Sequence, residues 1–185
     1  ESIHYAKRLG LSDKQISKIV NKTVEEVKDY RKLNAIMPTY KKIDTCSAEF
    51  RSEINYMYST YDDECESAPT QKKKAIIVGS GANRIGQGIE FDYSCVHAVM
   101  AAKELGYETI IINSNPETVS TDFDISDRLY LEPVTAEHVL NIIELENPAG
   151  TFFFFFSQPS MNILRGIFSY GVKLFVTSYE VLDLY

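Results

Sequence analysis

The chain is poor in the residues that announce a metal site, a disulfide frame or a membrane span. It has three cysteines, Cys46, Cys65 and Cys95, an odd count at wide spacing with no CxxC pair. That pattern excludes a disulfide scaffold and a CxxC zinc site, and reads as reduced thiols in a reducing, cytoplasmic setting. The three histidines, His4, His97 and His138, are just as scattered. No apolar run approaches the ~20 residues that a membrane helix needs, so no membrane partner is expected. The start is charged and amphipathic, unlike a secretory leader. It opens at Glu1 directly into helical pattern, as an excised piece of something longer would.

What is present is an ordinary globular composition, 44% hydrophobic and 24% charged over 185 residues. That is enough for one or two small domains. The charge is divided unevenly. Residues 1–43 hold 10 Lys and Arg against 5 Asp and Glu, whereas the remaining 142 hold 9 against 21. An acidic body disfavours nucleic acid as a partner and confines that possibility to the head.

The order of elements predicts an α/β protein: a small helical segment and a connector, then a parallel-sheet domain. Residues 2–10 and 12–20 read as short helices, the second with Ser12 as N-cap and Ile16, Ile19 and Val20 as its apolar stripe. Thr23 with Glu26 three residues on is a capping box that opens a third helix to about Leu33. Helix, turn, helix also describes a DNA-binding head. A fragment of a larger helical domain is the simpler reading, because two short helices bury too little surface to stand alone. Residues 37–73 show no helical or strand period and read as a packed, tyrosine-rich connector.

From Lys74 the pattern alternates. Strands are expected at 75–78, 109–112, 128–131, 151–156 and 173–176, and helices at 89–105, 136–146 and 160–169. Strand–helix–strand repetition at this spacing predicts a parallel sheet with right-handed crossovers. Ligands of such sheets sit at the carboxyl ends of the strands. The loops that matter are then 79–90, 113–127 and 157–160.

The first loop, Gly79-Ser80-Gly81-Ala82-Asn83-Arg84-Ile85-Gly86-Gln87-Gly88, lets backbone approach an anion closely. It is not a dinucleotide fingerprint: Arg84 stands where the third glycine should be, and Asn113 replaces the acid expected after the second strand. Nor is it a P-loop, since Gln87-Gly88 follows the glycine spacing in place of Lys-Ser/Thr. Arg84 can hold a carboxylate-like anion, or it can pair with Glu90 or Asp92 to brace the turn. The second loop, from Asn113 to Asp127, is long and rich in polar side chains. Long loops in compact domains tend to be functional; local Asn, Ser and Asp turn chemistry is the other reading.

Three strings carry a resemblance to a known family. They are Asn83-Arg84-Ile85-Gly86-Gln87-Gly88-Ile89-Glu90-Phe91-Asp92-Tyr93, Asn115-Pro116-Glu117-Thr118-Val119-Ser120-Thr121-Asp122, and Ser126-Asp127-Arg128-Leu129-Tyr130. Together they closely resemble the large chain of carbamoyl-phosphate synthetase. The likeness runs upstream through Asp44-Thr45-Cys46, Ala48-Glu49-Phe50 and Tyr58-Ser59-Thr60-Tyr61 and covers about residues 1–150. The resemblance implies that residues 1–36 end a helical oligomerisation domain and 37–73 form its exit connector. Residues 74–185 would then be the Rossmann-like pre-ATP-grasp domain that opens the second, carbamoyl-phosphate-forming half. It implies a ligase that uses ATP and a divalent metal, with neither assignable to residues of this segment and no catalytic residue in it. The partners it implies are the rest of the large chain with its ATP-grasp domains, a glutaminase small chain or domain, and further copies in a homo-oligomer. In that family carbamate travels inside the protein between two active sites, and the matching positions here are Arg84, Gly88, Glu90 and Glu117.

The tail departs from the family. Where a polar, double-glycine loop is expected, this chain has Phe154-Phe155-Phe156-Ser157-Gln158-Pro159-Ser160, and only Gln158 keeps its place. Phe156 puts bulk at a strand's carboxyl end. The family's Gly-Thr-Ser after the fifth strand stands here as Val176-Thr177-Ser178, and the helix between keeps Arg165 among Ile163, Ile167 and Phe168. A non-catalytic assembly or regulatory module of the same ancestry is therefore the second expectation, and a DNA-binding head on a ligand-sensing body the third.

Overall fold

The computed structural model describes residues 2–50, 54–81, 88–153, 163, 166–167 and 170–175, and for residues 88–91 the backbone alone. Three helices come first: α1 (Ser2–Arg8), α2 (Asp13–Val20) and α3 (Val24–Leu33). Two short strands follow, β1 (Thr39–Lys42) and β2 (Tyr56–Thr60). The alternating part comprises β3 (Lys74–Val78), α4 (Gly88–Glu104), β4 (Glu108–Asn113), β5 (Arg128–Leu131), α5 (Ala136–Glu146) and β6 (Gly150–Phe153). The strands form a six-stranded sheet in the order β1-β2-β5-β4-β3-β6. The pairings of β2 with β5, β5 with β4, β4 with β3 and β3 with β6 are all parallel.

The described chain divides into two compact units, Glu1–Lys41 with Tyr58–Ala68, and Lys42–Met57 with Pro69–Tyr185. In the first unit both predicted caps form. Ser12 and Gln15 make a reciprocal capping box on α2, and Thr23 and Glu26 make one on α3. Each satisfies backbone donors that a helix start otherwise leaves open. The expected stripe of α2 is corrected. Ile16 is buried, but Ile19 and Val20 are 72% and 43% exposed. Besides Ile16 and Val27, α2 and α3 bury charge. Arg31 donates through Nε and Nη2 to the Asp13 carboxylate at 2.8 and 2.6 Å, and Lys7 Nζ lies 3.2 Å from the same group. All three residues are at most 4% exposed.

The second unit owes its sheet to sequence runs without alternation. Residues 75–78 and 110–112 are all at most 1% exposed, as befits parallel strands covered on both faces. On one face Ile77, Ile111 and Leu129 pack with Cys95 and Val99 of α4. Each fully buried aliphatic side chain contributes about 1.5–3 kcal/mol. Strands 128–131 and helix 136–146 fall where the pattern placed them, the helix behind Thr135 as N-cap. Phe152 packs against the core cluster and Phe153 is buried, so the opening of the phenylalanine run is core. Ile163 and Ile167 are buried too. Of the expected fifth strand, Leu174 forms a single parallel bridge to Thr151. The expected elements over 154–162 and 176, with Phe154 to Ser160, Arg165, Phe168 and Thr177-Ser178, lie outside the described residues.

One expectation fails. The stretch 37–73 is not free of regular structure, since it supplies β1 and β2, and Tyr56 and Met57 of β2 pair with Leu129 and Tyr130. The strands are four and five residues long and only partly buried, so no clean two-residue period marks them.

Candidate functional site

The carboxyl ends of β3, β4 and β5 are held together mostly by backbone amides meeting side-chain oxygens. After β3 the chain passes through Gly79 and Gly81. A Cβ on Gly79 would lie 2.6 Å from Cγ of Asn113, so that position must be glycine for Asn113 to sit where it does. Gly81 has φ +78°, a conformation that L side chains rarely adopt.

Asn113, the last residue of β4, is 2% exposed. Its Oδ1 accepts the N–H groups of Gly81 at 3.2 Å, Ser114 at 2.8 Å and Asn115 at 3.5 Å. One side chain thus ties the loop after β3 to the loop after β4. The residue that breaks the dinucleotide pattern is a structural clamp. The carbonyl of Asn113 also accepts the N–H of Glu132 at 3.1 Å, which joins the end of β5. Glu132 is 3% exposed and lies 3.7 Å from Nε2 of His138, whose Nδ1 shares a hydrogen bond with Thr135 Oγ1.

The loop after β4 carries Glu117, which is exposed. Its N–H donates to Asn115 Oδ1 at 3.0 Å, an Asx turn that sets the direction of the chain. A single 3-10 turn, Val119–Thr121, follows and packs on α4. Asp92 of α4, 6% exposed, accepts the N–H of Ser120 at 2.9 Å. Tyr56 of β2 donates its hydroxyl to the carbonyl of Thr121 at 2.7 Å. Burial, with the charges of Asp122 and Asp124, raises the Tyr56 phenol above its usual range and keeps it a donor.

Of the four positions expected to line a passage, Gly88 opens α4 and Glu90 lies in its first turn, with the backbone alone described. Glu117 stands in the loop whose turn packs on that helix. Arg84 lies outside the described residues. Asp92, Asn113 and Tyr56 were not singled out as site residues. The first two carried a signal: a carboxylate just past the glycines, and an amide where an acid was expected. Tyr56 carried none. Among the described residues no group of three or more His, Cys, Asp or Glu could hold a metal ion, and none of the nucleotide-binding patterns fits.

A family model described as the carbamoyl phosphate synthase pre-ATP-grasp domain matches residues 71–184. The chain belongs to that family. It is 50% identical over 177 residues to the carbamoyl phosphate synthase large chain of Neisseria meningitidis serogroup B, covering 96% of this chain and 16% of that protein. It is 51% identical over the same length to the large chain of Vibrio cholerae serotype O1, again covering 16% of the relative. The chain thus spans about a sixth of the curated relatives it matches. The match to the pre-ATP-grasp domain includes both clamped loops and runs through the divergent tail. No described helix is long and apolar enough to cross a membrane.

Proposed function

We propose that the chain is a segment of a carbamoyl-phosphate synthetase large chain and that its carboxyl-end loops wall part of the route taken by carbamate. In this reading residues 1–36 end the helical oligomerisation domain, 37–73 connect, and 74–185 are the pre-ATP-grasp domain of the carbamoyl-phosphate-forming half. ATP and its divalent metal would be held by the ATP-grasp domains of the remaining chain, where ATP supplies the phosphoryl group. A glutaminase small chain or domain and further copies of the large chain are the expected partners, in the cytoplasm.

The observation that carries the reading is the docking of the Glu117 loop on the helix that begins with Gly88. Carbamate is a short-lived anion destroyed by water and acid, so a closed route protects it. Arg84 would offset the carboxylates of Glu90 and Glu117, which otherwise repel an anion. Gly88 would keep the bore open where any side chain narrows it. The test is Gly88→Phe in the full-length synthetase. Bicarbonate-dependent ATP hydrolysis is expected to continue while carbamoyl phosphate output falls. Normal output at unchanged hydrolysis removes the assignment.

A further inference from the structure

The two loops of the proposed route belong to different βα units, and something must fix the distance between them. The Glu117 loop cannot do so alone, because its one regular element is the three-residue turn Val119–Thr121. Asn113 holds the start of that loop and Tyr56 the end of its turn. The tie to α4 comes from Asp92, four residues after Gly88 and two after Glu90.

The chemistry of this tie is specific. A carboxylate taken out of water is costly unless donors meet its charge. Here the donor is the backbone N–H of Ser120, which cannot rotate away as a side chain can. Ser120 is wholly buried, and its own hydroxyl has no hydrogen-bond partner among the described residues. The turn is held by its backbone, and the hydroxyl adds nothing to the tie. We propose that Asp92 is a positioning residue of the carbamate route, which sets the spacing between the helix turn bearing Gly88 and Glu90 and the loop bearing Glu117. The proposal rests on the route assigned above.

The experiment uses the full-length synthetase that carries these residues, with two readouts. Hydrogen exchange over residues 115–124 reports the tie itself. The ratio of ATP hydrolysed to carbamoyl phosphate formed reports the route. Asp92→Ala should speed exchange in that stretch by about tenfold or more, the scale expected when a charge-assisted hydrogen bond is lost. It should also raise the ATP-to-product ratio. Asp92→Asn keeps the size of the side chain and one acceptor oxygen, so it should fall between wild type and Ala in both readouts. Ser120→Ala keeps the backbone donor and should leave the exchange at the wild-type rate. Unchanged exchange in both Asp92 variants overturns the tie, as does a Ser120→Ala effect equal to that of Asp92→Ala. Faster exchange with an unchanged ratio overturns the positioning role, while Gly88→Phe, if it still uncouples, leaves the route standing. If neither Gly88→Phe nor Asp92→Ala uncouples, the route falls and the proposal with it.

Discussion

The two ends of the parallel sheet are built from opposite materials. At the amino ends, the first residues of three strands, Lys74, Glu108 and Arg128, meet the last residue of α5, Glu146, in a buried ion network. Lys74 Nζ lies 2.7 Å from Glu146 Oε2, Arg128 Nη1 lies 3.2 Å from Glu146 Oε1, and Arg128 Nε lies 3.4 Å from Glu108 Oε1. Tyr130 donates its hydroxyl to Glu146, and Thr70 to Glu108. At the carboxyl ends, backbone amides of the loops donate to the side chains of Asn113 and Asp92. Charges paired with one another hold strands in register but leave no free field. Side chains that accept backbone amides shape loops without consuming the cations that a ligand needs. The two ends thus differ in kind, paired charges at one and amide-accepting side chains at the other.

The comparison breaks most visibly at Glu146. Glu146→Gln should cost about 3–5 kcal/mol, because Lys74 and Arg128 then lack a full counter-charge inside the protein. Urea denaturation of the chain measures it, and a loss under about 1 kcal/mol would mean that the network does not carry the amino ends. At temperatures where the variant stays folded, its ATP-to-product ratio in the full synthetase should match wild type, the reverse of the pattern expected for Asp92.

Gly79→Ala sharpens the other side of the comparison. The new Cβ meets Asn113, and overpacking of this kind costs about 1–3 kcal/mol. Asn113→Ala removes the two nearest obstructing atoms, Cγ and Nδ2, and leaves only its Cβ at 3.0 Å, so the double variant should cost less than the sum of the two single changes. Strict additivity in that cycle would show that the two residues do not share the site.

A smaller effect comes from Cys95, between α4 and the sheet. Burial, and secondarily the charge of Asp92, pushes its thiol up to about 12 from 9.0. The folded state holds that proton more tightly than the unfolded state does. Its contribution is therefore complete below about pH 9 and is lost as the pH rises toward 12. A Cys95→Ala variant should show a shallower decline in stability across that window. In the wild type, a thiol reagent near neutral pH should modify Cys65 before Cys95. Although burial pushes the Cys65 thiol up, hydrogen bonds from Ser67 and the Tyr40 N–H and the charge of Lys41 bring it below its usual value.

The apolar and capping parts of this architecture were legible in the sequence. Runs such as Ile110–Ile112, the N-cap at Ser12 and the capping box at Thr23 are local signals, and the elements stand where those signals put them. Buried charge was not legible. Lys74, Arg128 and Glu146, like Lys7, Asp13 and Arg31, look like surface residues until distant partners meet them. The exposed Ile19 is the converse error, an apolar residue placed inside because its neighbours were. The site was half legible. Long strings marked both loops, but the bond between Asp92 and Ser120 joins residues 28 apart, and no short window contains it.

In the proposed arrangement the carboxyl-end loops enclose a route for carbamate while the amino ends only hold the sheet. It is tested most directly by the ATP-to-carbamoyl phosphate ratio of Gly88→Phe, measured beside Glu146→Gln in the same full-length synthetase. A raised ratio is expected for Gly88→Phe and a wild-type ratio for Glu146→Gln. Equal ratios in the two variants would contradict it.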